Sequence, residues 1–184
     1  MIMVGGSFVT VGGGFVEYSG PVVPPEPHTW FKLEIDAVHV HSDSTFMLGE
    51  FRFIDSNGTQ VGTYTADSWT AGTNYSTYGE QSAIYLFDGI INDHALKYCV
   101  RSSSNIYVIF KANGITSLNN LHYQLCTAAD CSMWPGRNPS SWRLYSAGEK
   151  LSRDSSSWNL IDRRINDTTM RDIDSTWYTF SLLT

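Results

Sequence analysis

Long apolar runs are missing from this chain of 184 residues, and no segment nears the roughly 18 consecutive apolar residues of a membrane-spanning helix. The opening MIMVGGSFVTVGGG lacks the basic start and compact apolar stretch of a signal peptide, so any export is expected to use another route. Cysteine is scarce: Cys99, Cys126 and Cys131 are an odd number, which excludes a complete disulfide framework. Cys126 and Cys131 either pair across a small loop or stay reduced and partly buried, and no C-x-x-C spacing points to zinc. Runs of Lys and Arg are absent and the net charge is −6, so neither nucleic acid nor an anionic membrane is expected as a partner. The catalytic signatures G-x-S-x-G, H-E-x-x-H, the Walker loop and the dinucleotide fingerprint are also missing, and no enzyme is expected.

What is present is apolar and aromatic. Hydrophobic residues make up 42% of the chain and Phe, Trp and Tyr 14%, enough for a real core and typical of β-rich chains or contact surfaces. Residues 1–26 stand apart, with GG, GGG and SGPVVPPEP around interleaved Val and Phe. They read either as a frayed tail or as an extended arm whose Val/Phe/Gly part suits strand addition on another subunit. Residues 27–184 read as the folded domain. There, WFKLEIDA alternates Phe31, Leu33, Ile35 and Ala37 with Lys32, Glu34 and Asp36, the pattern of a half-buried strand. FMLGEFRFI reads as strand, closed by the turn DSNG at Asp55 to Gly58. IYVIF at Ile106 to Phe110 suits a strand covered on both faces, LHYQLC sets Leu121, Tyr123 and Leu125 to one side, and TWYTFSLL forms a last strand. Short strands, turn residues between them and no helical or repeat period predict an all-β, antiparallel sandwich of the jelly-roll kind.

The segment PSSWRLYSAGEKLSRDSSSWNLID then reads as two strands joined by a solvated loop, with Trp142 and Trp158 anchored in the core. This P-x-x-W-x-L-Y-S segment, the S-x-W-x-L-I-D that follows it, and the weaker F-D-G mark at Phe87 to Gly89 resemble the discoidin family, or coagulation factor type C domains, of the galactose-binding-like jelly rolls. The resemblance covers roughly His28 to Thr184. The order of E-F-R-F before F-D-G resembles the arrangement in phage structural proteins, which implies a virion component such as a tail fibre or capsid decoration. That implies assembly in a host cytoplasm, a homo-oligomer with a trimer among the options, and an arm that binds other virion subunits. Family members follow the D-G with a Thr and then a Trp; here the text is IINDHALKYC.

The family often holds Ca²⁺ with the Asp of the D-G loop and a Glu on the E-F-R-F strand, which transfers to Asp88 and Glu50, with Asn92 and Asp93 able to add oxygens. The plain alternative is that Asp88 caps its own loop and Glu50 lies solvated. Glycan binding is expected on loops at one end of the sandwich. SWTAGTNYSTYGEQ offers Trp69, Tyr75 and Tyr78, and DCSMWPGRNP offers Trp134, Arg137 and Asn138. Aromatic rings suit the C–H face of a sugar while Arg, Asn or His fixes hydroxyls, and His94 beside the D-G loop joins that set. Each aromatic can equally serve as a lid over the core. His39 and His41, two apart in VHVHS, lack a third metal ligand. A purely structural decoration or cementing protein is the competing expectation.

Overall fold

A computed structural model describes residues 8–11, 14–17, 28–39, 45–69, 82–101 and 106–183, the side chains of 8–17, 68 and 69 aside. Its strands are β1 (Phe8–Val11), β2 (Gly14–Glu17), β3 (Trp30–Val38), β4 (Thr45–Leu48), β5 (Glu50–Ile54), β6 (Gln60–Val61), β7 (Thr63–Trp69), β8 (Tyr98–Arg101), β9 (Ile106–Asn113), β10 (His122–Cys126), β11 (Pro139–Ala147), β12 (Asn159–Arg164) and β13 (Trp177–Ser181). Short 3₁₀ turns cover Ala83–Phe87 and Cys131–Met133, and every strand pair is antiparallel. A four-stranded sheet in the order β13-β10-β5-β6 faces a five-stranded sheet in the order β12-β11-β3-β9-β7. This is an all-β sandwich, consistent with a jelly roll.

Period-2 alternation builds the core. Phe31, Leu33 and Ile35 of β3, Phe51 and Phe53 of β5, Val108 and Phe110 of β9, Tyr123 and Leu125 of β10, and Trp142 and Leu144 of β11 are all buried in one cluster. Phe31 and Phe53 meet across the two sheets with ring centroids 4.7 Å apart, and Trp142 meets Phe180 of β13 at 5.0 Å. Along one side the sheet edges are tied together: Leu183 N–H donates to Ile161 O at 2.8 Å and Arg164 Nη2 to Ser181 O at 2.7 Å.

Three strand readings need correction. FMLGEFRFI is two strands, because Gly49 divides β4, which pairs with β8, from β5, which pairs with β10 and β6. A side chain at Gly49 would sit 2.8 Å from Thr127 O, so the crossing needs a residue without Cβ. Second, Lys32 and Glu34 on the outer face of β3 are buried, not solvated. Third, the loop after β11 is not a free hairpin. It folds back over that outer face: Arg153 Nε donates to Glu34 Oε1 at 3.2 Å, and its main-chain oxygen accepts from Lys32 Nζ at 2.7 Å. Trp158 is buried there, 5.3 Å from Lys32 Nζ, whereas Trp142 is the one in the core between the sheets. The composition of the loop, rich in charge and serine, suggested water; Glu34 supplied a buried anion that the cations could neutralise.

Cys99, Cys126 and Cys131 are free, buried thiols, so the pairing open to Cys126 and Cys131 is not made. β1 and β2 pair antiparallel, with Val9 opposite Val16. His41 lies outside the described residues.

Candidate groove on the outer face of the four-stranded sheet

The register of the four-stranded sheet sets the site. Glu50 and Trp177 both pair with Cys126, and Arg52 and Thr179 both pair with Gln124, so these side chains form two adjacent rows on one face. Phe51, Tyr123, Leu125 and Phe180 turn inward, which leaves Glu50, Arg52, Gln124, Trp177 and Thr179 on the outer face. Gln60, opposite Ile54, joins that face from β6. Of these, Glu50, Arg52, Gln60 and Trp177, together with Tyr64, Phe87, Asp88 and Gly89, line a groove of about 380 Å³.

One wall of the groove is a carboxyl pair. The turn Ala83–Phe87 ends in Asp88 and in Gly89, whose φ of 77° lies in the left-handed region that favours glycine. That turn lays two amides over Glu50: Gly89 N–H and Ile90 N–H donate to Glu50 Oε1 at 2.8 and 3.1 Å. Ile90 N–H also reaches Asp88 Oδ1 at 2.8 Å, so Asp88 does cap its own loop. Glu50 is not solvated. It is 3% exposed, and burial, together with the hydrogen bond it donates to Asp88 and the charge of Asp88, pushes its carboxyl up to about 8 despite the two amides. Near neutral pH Glu50 therefore keeps its proton. The sequence named Glu50 and Asp88 as a pair, and the fold turns both toward the Ile90 amide.

Opposite them stands an ordered cationic and aromatic wall. Arg52 lies over the Trp177 ring with its guanidinium carbon 4.1 Å from the centroid, and its Nε donates to Gln124 Oε1 at 2.6 Å. Gln124 Nε2 in turn donates to Thr179 Oγ1 at 2.8 Å. Tyr64 at the groove is spent on the main chain, accepting from Phe53 N–H at 2.9 Å and donating to Val61 O; burial pushes its hydroxyl up to about 12. Arg52, Gln60 and Trp177 were absent from the sequence reading. The alternation in E-F-R-F and T-W-Y-T-F gave their facing, but only the strand order places them side by side.

No family model, curated protein or solved structure matches the chain. The likeness to discoidin domains stands on the sequence motifs alone.

The loop residues expected to contact a ligand divide differently. Trp134 is 46% exposed and carries the Arg137 guanidinium 4.3 Å from its ring centroid. Arg137 itself is buried, and Asn138 is wholly buried, its Nδ2 donating to Cys131 Sγ at 3.0 Å and Asp172 Oδ1 at 3.1 Å. Asn138 thus presents nothing to solvent; its amide holds two loops together. His94 is exposed. Trp69 ends β7 opposite Val108, and Tyr75 and Tyr78 lie outside the described residues. His39 Nε2 is buried without a partner among the described residues, and no group of three or more metal-binding side chains forms among them.

The donor set at Glu50 and Asp88 suits a divalent cation in one respect: two carboxyls in contact need either a proton or a cation between them. Asn92 and Asp93 are both exposed, and Asp93 Oδ1 already accepts from Ala95 N–H at 2.9 Å.

Proposed function

We propose that this protein is a non-enzymatic glycan-binding module whose ligand lies in the groove of Glu50, Arg52, Gln60, Asp88 and Trp177. The observation that carries this reading is the pairing of Trp177 with Arg52 beside the carboxyl pair. An aromatic plane suits the C–H face of a pyranose, and fixed donors and acceptors beside it suit hydroxyls. Where Ca²⁺ is available, Glu50 and Asp88 would hold it in place of the proton on Glu50, with main-chain oxygens completing a structural site. On the discoidin resemblance, the module belongs on a phage particle, as tail fibre or capsid decoration, and recognises a host or environmental glycan.

Binding of a glycan array by the wild type, lost in Trp177→Ala with the fold intact, is the expected result. Equal binding by both forms would remove the groove from the function.

A second reading rests on the pairing of β1 and β2. Two strands alone are marginal in water, so this pair gains stability by joining another sheet, as an arm that laces subunits together would. Deletion of residues 1–26 should then abolish oligomers while the sandwich stays folded. Unchanged assembly would reject it.

A further inference from the structure

We propose that the groove recognises a sugar bearing a carboxylate, gripped by the free fork of Arg52. The inference rests on the glycan reading and names the ligand class within it.

Arg52 is held from two sides, by the Trp177 ring at 4.1 Å and by Gln124 Oε1 on its Nε at 2.6 Å. Gln124 is itself fixed by Thr179, so the guanidinium plane is set before any ligand arrives. Both Nη nitrogens carry no hydrogen bond, and no carboxylate forms an ion pair with Arg52, among the described residues. By contrast, Arg143, Arg153 and Arg164 each spend their charge on Asp36, Glu34 or Asp162. A planar fork with two parallel N–H groups and an unspent charge matches a carboxylate, whose oxygens accept both bonds. A lone hydroxyl would use only one of them.

The nearby acids do not cancel this preference. Glu50 Oε1 is already taken by the amides of Gly89 and Ile90, and Asp88 Oδ1 by that of Ile90, so both acids are turned toward the main chain of their own turn. The Gln60 amide, on the same face and free of hydrogen bonds among the described residues, can serve the sugar hydroxyls.

The test is titration calorimetry of the full chain with oligogalacturonate, with the same oligomer fully methyl-esterified, with a sialylated trisaccharide, and with a neutral galacto-oligosaccharide. At least tenfold tighter binding of an acidic probe than of the methyl ester is expected, and the two acidic probes distinguish a uronic acid from a sialic acid as its source. Arg52→Gln should remove that preference while leaving the weak binding of the neutral sugar, whereas Trp177→Ala should weaken both. Arg52→Lys keeps the charge and loses the fork; it should fall between, and it serves alone if the Gln variant does not fold. Equal affinity for the acidic and esterified oligomers, or an acid preference untouched in R52Q and R52K, would overturn the inference while leaving the glycan reading. Binding of no saccharide at all would overturn both.

Discussion

Trp142 Nε1 donates to the hydroxyl of Tyr123 at 2.8 Å, joining β11 of one sheet to β10 of the other through the middle of the core. Tyr123 passes the bond on, donating to Asp162 Oδ2 at 2.6 Å, and Arg164 Nε closes the chain on the same oxygen at 2.8 Å. Trp142, Tyr123 and Asp162 lie in low dielectric, where burial raises the Tyr123 hydroxyl well above its ordinary range and keeps it a donor. Tyr123→Phe strands the indole N–H and takes a donor from Asp162, whose Oδ1 already lacks a partner among the described residues. A loss of about 2–3 kcal/mol is expected. Urea unfolding checks it, as a lower midpoint with an unchanged slope.

Glu50 makes stability depend on pH. Burial pushes its folded carboxyl up to about 8 from an ordinary 4.5, so between those values the native state holds a proton that the unfolded chain has released. Stability is therefore greatest on the acidic side and falls as pH rises through that window, by up to about 1.4 kcal/mol per pH unit. Glu50→Gln keeps an oxygen for the two amides and adds a donor toward Asp88, which mimics the protonated form. Melting from pH 5 to pH 9 should show a decline in the wild type that flattens in E50Q. Saturating Ca²⁺ should recover the wild-type loss at the alkaline end; an unchanged melt there withdraws Glu50 and Asp88 from any cation site.

Lys97 and Asp130 form a buried ion pair, 4% and 8% exposed, beneath the loop that carries Cys131. Removing either partner leaves the other charge desolvated and alone, at a cost of about 3–5 kcal/mol. The double variant Lys97→Met with Asp130→Leu should be less destabilised than the sum of the two single changes. A double-mutant cycle by chemical denaturation reads this coupling directly.

Gly49→Ala tests the crossing between β4 and β5. The added carbon would meet Thr127 O at 2.8 Å, and main chain on both sides must move. A loss of about 1–3 kcal/mol is expected. Because Glu50 follows immediately, ligand binding in the groove should weaken along with the melting temperature.

Much of the sandwich was legible. Alternation in WFKLEIDA and LHYQLC named Phe31, Leu33, Ile35, Tyr123 and Leu125 as inward, and they are buried, whereas Ala37, named with them, is exposed where the register of β3 and β11 shifts. The turn DSNG was legible too, with Asp55 Oδ1 accepting from Asn57 and Thr59 N–H and Gly58 at a φ of 81°. Trp158 was misread because a strand pattern cannot tell the core face from a face covered by a returning loop. Asn138 was misread for a related reason: a polar residue after P-G-R looks exposed until Cys131 and Asp172 close around it.

The sequence by itself determined the class of fold and the inward residues, because hydrophobic period and turn chemistry act over a few neighbouring positions. It also marked Glu50 and Asp88 as a pair through the motif resemblance. The tertiary structure decided the groove. Arg52, Gln60 and Trp177 come from three strands far apart in the chain, and strand order and register, which no local pattern encodes, set them against the carboxyl pair. Burial then did what composition could not show, holding a proton on Glu50 and leaving the Arg52 fork open to the groove.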